Sequence, residues 1–97
     1  MANEHEAGRL RSLARDWRTL IWFTGHGGEE RQKDGITRID VINMLKRCVV
    51  TNVEINAKTG EEEWRAEGKD SDGRGITAIV VVDEGALEIK VVTTWAK

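Results

Sequence analysis

Residues 24–36 read TGHGGEERQKDGI and contain the chemically most suggestive side chain of the sequence, His26. Histidine can donate or accept a proton near neutral pH, because its ordinary pKa lies in that range. The predicted helix over residues 26–33 puts His26 at a helix start, where backbone N–H groups could also meet a phosphate. The alternative is an exposed first-turn residue or a hydrogen-bonded packing residue. Residue type and spacing leave both interpretations open.

Cationic side chains form the second candidate set, and they could hold the charge of a phosphate or of its transition state. Connectivity puts two of them, Lys69 and Arg74, near each other around one predicted turn. The alternative is a solvated strand face, in which the cations pair with the acidic side chains of the same segment. The cations are Arg31, Arg65, Lys69 and Arg74, and the acids are Glu61, Glu62, Glu63 and Glu67.

Aromatic residues and the cysteine are the remaining candidates. Trp95 ends the last predicted strand, with Lys97 beyond it, and an indole there could stack on a base. The alternative for Trp95 is a lid over the core. Trp17, Trp22 and Trp64 are predicted core or interface residues. Cys48 follows a helix among apolar residues and is predicted to be a buried, inert thiol.

Composition limits the classes of protein to which the chain can belong. It has 97 residues, 39% of them apolar and 33% charged, so we expect one globular domain. The net charge of −2 provides no general basic field and argues against a non-specific nucleic-acid coat protein. A single cysteine indicates a reducing cytoplasm. The apolar runs are too short to span a bilayer, and no secretory leader is recognisable, so we expect no membrane partner.

Helical patterns occupy the first half of the chain. Residues 4–18 are predicted to form a helix with Asn3 as N-cap and an apolar stripe that includes Trp17. Thr37 and Asp40 form a capping-box pattern for a later helix that ends at about residue 47. Residues 19–23 are either a short strand or an extension of the first helix.

The second half has the composition of strands. Four strand-like runs cover residues 49–56, 61–68, 76–83 and 87–95, with short turns that favour an antiparallel meander. The continuously apolar AIVVV at 78–82 is predicted to lie in a central strand. The sequence therefore predicts an α+β fold, with N-terminal helices packed on a mainly antiparallel sheet. That sheet has four strands, or five if residues 19–23 contribute one.

This order of motifs resembles the RelE/ParE superfamily of small bacterial toxins, and within it the BrnT toxins and their uncharacterised relatives. His26 opening a short helix, Arg31, Lys33 and DGITRIDVINML are similar to one part of that pattern. EEEWRAEGKDSDGRGITAIVVVD and the final EIKVVTTW resemble the rest. The resemblance covers roughly residues 20–95. Arg31 lies one position later than in the usual pattern, and Asp34 stands where the pattern prefers a base.

The resemblance implies a RelE-like core over 19–97, with 1–18 as an N-terminal helical extension of the same domain. It also implies metal-independent and cofactor-independent RNA cleavage by the toxin of a toxin–antitoxin pair. An antitoxin or other protein would then be the partner, with RNA as substrate and a homodimer left open. The implied catalytic residues are His26, Arg31, Arg65 and Arg74, and the implied RNA-binding residues are Lys69, Trp95 and Lys97.

An alternative keeps the fold without catalysis. The chain would then be a protein-binding module, such as an immunity or inhibitor protein, that covers a basic partner with its acidic surface.

Overall fold

The computed structural model describes residues 3–96, except for the side chains at 26, 27, 30 and 31. These residues form an α+β fold, as the sequence predicts. The helices are α1 (Glu4–Arg15), α2 (Gly25–Lys33) and α3 (Arg38–Leu45). The strands are β1 (Leu20–Phe23), β2 (Val49–Ile55), β3 (Glu62–Lys69), β4 (Gly75–Asp83) and β5 (Glu88–Ala96).

The five strands form one mixed sheet in the order β1-β5-β4-β3-β2. Strands β2 to β5 are antiparallel to their neighbours, whereas β1 lies parallel to β5 at the edge. Residues 20–23 are therefore a strand and not an extension of the first helix. The apolar run at 78–82 belongs to β4, in the middle of the sheet, as predicted.

One face of the sheet carries the core. Alternate side chains of β3, β4 and β5, including Trp64, Val80 and Ile89, are buried beneath α1 and α3. A Cβ on Gly68 would lie 2.8 Å from Cγ of Met44, so α3 approaches β3 more closely than a larger residue allows. Cys48 is buried, as predicted, and desolvation raises the pKa of its thiol to about 11, which disfavours the reactive thiolate.

The first helix is shorter than predicted, and this changes the environment of Trp17. α1 ends at Arg15, and the next residue, Asp16, has extended backbone angles. The Asp16 carboxylate accepts hydrogen bonds from the backbone N–H and the guanidinium of Arg18, which stabilises a tight connection into β1. Trp17 therefore lies outside the helix and is 91% exposed, so its predicted place in the apolar stripe is wrong.

The N-termini of α1 and α3 differ. Thr37 and Asp40 form the predicted capping box, in which each side chain accepts a hydrogen bond from the other residue's backbone N–H. Asn3 is the N-cap residue of α1, but it has a left-handed backbone and makes no side-chain capping hydrogen bond. α3 ends at Leu45, two residues before the predicted end.

Helix α2 runs alongside β5 beyond the end of β1. The Thr24 hydroxyl donates to the carbonyl of Val92, and the backbone N–H of Ala96 donates to Oδ2 of Asp34. Both ends of α2 are thus fixed to the C-terminal half of β5. None of the helices described for residues 3–96 is long and apolar enough to cross a membrane.

Candidate functional site

The sheet face opposite α1 and α3 brings several of the predicted site residues together. We call this the open face and define its centre by residues of β3, β4 and β5 whose side chains point away from the core. Cross-strand pairs join Glu67 to Thr77 and Thr77 to Trp95, so one row of side chains crosses three strands. The central residues of the open face are Arg65, Glu67, Thr77, Ile79, Thr93 and Trp95.

A β-bulge in the last strand turns Trp95 onto the open face. Val80 pairs with Val91, but the preceding Ile79 pairs with Thr93, so Val92 is an extra residue in β5. Strict alternation from the buried Val91 would point Trp95 into the core. The bulge instead buries Thr94, whose hydroxyl donates to the carbonyl of Thr77, and directs Trp95 outward.

Arg65 and Trp95 cover Thr77. The Arg65 guanidinium lies 5.6 Å from the centre of the Trp95 indole, although the two residues are on strands separated by β4. Thr77, on the intervening strand β4, is the cross-strand partner of Trp95 and is only 1% exposed. Its Oγ1 has no hydrogen-bond partner within the described residues. The open face therefore holds a covered polar atom that a ligand could satisfy once the cover moves.

Glu67 provides a carboxylate beside this pair. Its Oε2 lies 3.5 Å from Nε of Arg65 and accepts a 2.5 Å hydrogen bond from the Thr51 hydroxyl. From the sequence, Glu67 is predicted only as an ion-pair partner, and Thr77 carries no signal that singles it out. The register of β3 on β4 and of β4 on β5 places both of them in the same cross-strand row as Trp95, and no local sequence pattern determines that register.

Arg74 connects the β3–β4 turn to the end of α2. Its Nε donates to Oδ2 of Asp70, and its Nη1 donates to the carbonyl oxygen of Asp34 at 2.9 Å. Burial by itself raises the pKa of Asp70, but hydrogen bonds from the Arg74 backbone, its guanidinium and the Asp72 N–H together lower it below its ordinary value. The Arg74 guanidinium thus already interacts with the turn and with α2.

The other predicted site residues are dispersed. Lys69 is exposed at the end of β3, opposite Gly75 and two residues from Glu67 on the same face. The backbones of His26 and Arg31 belong to α2, which borders β5, but both side chains lie outside the described residues. Lys97 also lies outside the described residues.

Acidic side chains outnumber basic ones on the open face. By cross-strand register, the acids include Glu54, Glu63, Glu67, Asp83 and Glu88, against the bases Arg65, Lys69 and Lys90. Lys90 is in turn paired with Glu61 at 2.8 Å. The positive charge that a phosphate could use is therefore local, centred on Arg65 and Lys69.

Two further features complete the description. A groove of about 690 Å³ between α1 and the β4–β5 turn is lined by His5, Arg9 and Glu84 among others, and it contains none of the predicted site residues. Over residues 3–96, as far as side chains are described, no group of three or more His, Cys, Asp and Glu is placed to hold a metal ion.

Comparisons with protein-family models, with curated proteins and with solved structures each gave no match. The chemistry available to this chain is therefore inferred from the open face itself. It offers the Glu67 carboxylate and the Trp95 indole in one cross-strand row and the Arg65 guanidinium from the adjacent row.

Proposed function

We propose that this chain is a small endoribonuclease of the toxin–antitoxin kind that acts in the cytoplasm and cuts RNA on the open face. The observation that supports this is the grouping of Arg65, Glu67 and Trp95 around the covered hydroxyl of Thr77. These three side chains supply a cation, a proton acceptor and a stacking surface. Cleavage of an RNA strand by its own 2′-OH requires the first two.

The spacing of the row suits one nucleotide. Neighbouring strands are about 4.8 Å apart, so the Glu67 and Trp95 backbones, with β4 between them, are roughly 10 Å apart. A base stacked on Trp95 would thus leave its ribose and phosphate over Thr77 and near Glu67. Arg65 is about half exposed, so moving its guanidinium from the indole to a phosphate disrupts only surface interactions.

The reaction follows from these positions. The Glu67 carboxylate takes the proton of the 2′-OH, and the 2′-oxygen attacks phosphorus. The bond from phosphorus to the 5′-oxygen breaks, and that oxygen takes up a proton, leaving a 2′,3′-cyclic phosphate and a 5′-hydroxyl. Arg65 holds the negative charge that builds up on the phosphorane, and Lys69 holds the next phosphate along the strand. We assign the leaving-group proton to His26 on the strength of its residue type and the sequence resemblance.

The test is RNA cleavage in a bacterial cell-free translation extract, where a ribosome-dependent nuclease would also be detected. We expect the wild type to create discrete new 5′ ends. Glu67→Gln keeps an acceptor for the Thr51 hydroxyl but cannot take a proton, so we expect cleavage to fall by about 10²- to 10⁴-fold. Lys58→Gln, in the exposed β2–β3 turn, is the matched control for loss of a charge and should cleave normally.

Two further variants separate binding from chemistry. Trp95→Leu removes the stacking surface, and we expect a KM increase on the order of 10-fold with a smaller change in kcat. His26→Ala should reduce kcat instead. Intact RNA at saturating wild-type protein would contradict the nuclease proposal.

A second candidate function rests on a different observation, the excess of acidic side chains on the open face. In this proposal the chain is a non-catalytic binding module, and the open face covers a basic protein surface. The pairing of Arg65 with Glu67 supports it, because that pairing removes a cation from use by phosphate. Intact RNA, together with saturable binding of a lysine-rich protein that Glu63→Lys weakens, would favour this candidate.

A further inference from the structure

A second surface lies at the sheet edge formed by β1. A groove of about 380 Å³ runs between the end of α1, β1 and α3. We call it the β1 groove. Its apolar wall is formed by Ala14, Leu20, Ile21 and Ile42, and the indole of Trp17 stands at its mouth. None of the residues proposed for the open-face site lines this groove.

Large apolar side chains are unusually exposed at the β1 groove. Trp17 is 91% exposed and Leu20 is 58% exposed. Exposed tryptophan next to an apolar depression is typical of the residues that contribute most to protein–protein binding. These side chains contribute little to the core, so the apolar surface that they present is available to a partner.

The charges at the β1 groove are positive. Arg15 and Lys46 line it, and neither forms an ion pair within the described part of the chain. The acidic lining residue, Asp16, is held by Arg18, which lowers the pKa of Asp16 to about 2 and leaves its charge already balanced. The groove thus combines apolar walls with two cations that have no carboxylate partner among the described residues.

A structural role accounts for only part of this arrangement. Nε of Arg15 donates to the carbonyl of Lys46 at 2.9 Å, which ties the end of α1 to the end of α3. The remaining nitrogen atoms of the Arg15 guanidinium and the Lys46 ammonium are left for another anion. Packing also gives no reason for an exposed indole at position 17.

We propose that the β1 groove binds an acidic, apolar segment of a partner protein, and that this contact is separate from the open face. One large apolar side chain of the segment enters between Leu20 and Ile42, against the indole of Trp17. Carboxylates that flank it in the segment pair with Arg15 and Lys46. The inference does not depend on the proposed nuclease function, because none of the residues of the proposed nuclease site lines the groove.

Charge argues for a partner of this kind and against a second copy of the chain. In a two-fold dimer through the groove, Arg15 and Lys46 would meet the same residues of the other copy, and like charges would be brought together. A concave groove also fits an inserted side chain better than it fits a lipid surface, because interfacial membrane contacts are made by apolar faces that project outward.

The experiment titrates the full chain with a short synthetic peptide that alternates glutamate and leucine, followed by nuclear magnetic resonance of the backbone amides and indoles. We expect saturable shifts at Trp17, Leu20 and Ile42, with a Kd below about 1 mM. A peptide that alternates lysine and leucine controls for apolar attraction, and we expect it to bind at least tenfold more weakly.

Matched variants make the test specific. We expect Leu20→Ser to weaken binding of the acidic peptide by about fivefold, whereas Ile55→Ser, at the opposite sheet edge with 61% exposure, should have no effect. Lys46→Glu should weaken binding by about tenfold, and Lys58→Glu should not. Because Leu20, Ile55 and Lys58 are exposed, loss of the fold would not explain a difference within these pairs.

Several results would overturn the proposal. These are no shifts up to about 1 mM acidic peptide, equal binding of both peptides, or shifts confined to the open face. Shifts at Trp17 that depend on protein concentration alone would indicate a second copy instead. Binding of Trp17 to vesicles of phosphatidylglycerol, with no peptide binding, would indicate a membrane. RNA cleavage is measured separately, so failure here and failure of the nuclease proposal are distinguishable.

Discussion

The open face and the β1 groove differ in how their charged and apolar side chains are used. On the open face, Arg65 is paired with Glu67 and stacked on Trp95, and Lys90 is paired with Glu61. In the β1 groove, Arg15 and Lys46 have no ion pair within residues 3–96, and Trp17 makes no use of its apolar surface in the core. The first surface therefore has ion pairs at Arg65 and Lys90, whereas the two cations of the β1 groove are joined, within the described residues, by the hydrogen bond from Arg15 to the Lys46 carbonyl and by no ion pair.

This difference indicates that side chains of the open face contribute to the stability of the fold, whereas the exposed side chains of the β1 groove contribute to binding. Interactions within the open face form when the chain folds, so removing them changes stability. Trp17 and Leu20 of the β1 groove are exposed in the folded and unfolded chain alike, so removing these two side chains should leave stability almost unchanged. A ligand of the open face must first displace Arg65, whereas a partner of the groove meets its cations directly.

The largest effect on stability is expected for Arg74→Met, next to the open face. The substitution leaves the Asp70 carboxylate, whose side chain is 3% exposed, without its guanidinium and frees the Asp34 carbonyl. We expect Tm to fall on the order of 10 °C, measured by circular dichroism. Arg65→Met, which breaks only an exposed pair, is the control and should change Tm by a few degrees at most. Equal effects of the two variants would contradict the role of Arg74 as a connection.

An increase in stability is expected when the covered hydroxyl of Thr77 is removed. Thr77→Val keeps the side-chain shape and removes Oγ1, which has no partner within the described part of the chain, so we expect Tm to rise by about 5 °C. Thr94→Val is the matched control, because its hydroxyl donates to the Thr77 carbonyl and its loss should lower Tm. If Thr77→Val lowers Tm instead, its hydroxyl already has a partner and the open face has no vacant polar atom.

Low pH should reduce the stability that the interaction of Asp70 with Arg74 provides. Its pKa is lowered in the folded chain, so the folded state binds fewer protons than the unfolded state, and stability falls as pH drops below the ordinary value of 3.8. Compared with the wild type, Asp70→Asn should be less stable at pH 6 and should lose less stability between about pH 4 and pH 2.5. Urea unfolding at several pH values measures this. If the free energies of unfolding of the two proteins change in parallel with pH, the lowered pKa of Asp70 is refuted.

The smallest effects are expected in the β1 groove. Trp17→Ser and Leu20→Ser should each change the free energy of unfolding by less than about 0.5 kcal/mol, the same as Ile55→Ser. Denaturant unfolding provides the measurement. A loss above about 2 kcal/mol for Trp17→Ser would show that the indole is packed in solution, and the contrast between the two surfaces would then disappear.

Sequence reasoning predicted the elements that local patterns determine. The capping box of Thr37 and Asp40, the apolar run of β4 and the buried Cys48 each follow from a few neighbouring residues. The tight turn of Asp16 and Arg18 is not predicted from the sequence, so the predicted first helix is too long and its apolar stripe wrongly includes Trp17. The available signal there is the spacing of Asp16 and Arg18, which allows the arginine to bind the carboxylate two residues before it.

The site was harder to predict because it depends on long-range register. The bulge at Val92 decides which face Trp95 joins, and pairing through β4 brings Arg65 to it from β3. The parallel position of β1 beside β5, which creates the groove, also depends on contacts far apart in the sequence. The roles of His26, Arg31 and Lys97 stay predictions.

The most direct test of RNA binding by the open face uses the indole N–H signals of three of the four tryptophans, which report three different regions. Trp95 reports the open face, Trp17 the β1 groove and Trp64 the core. On titration with a short single-stranded RNA, we expect the Trp95 signal to shift in a saturable way, with those of Trp17 and Trp64 unchanged. An unchanged Trp95 signal, or a shift at Trp17 alone, would contradict RNA binding on the open face.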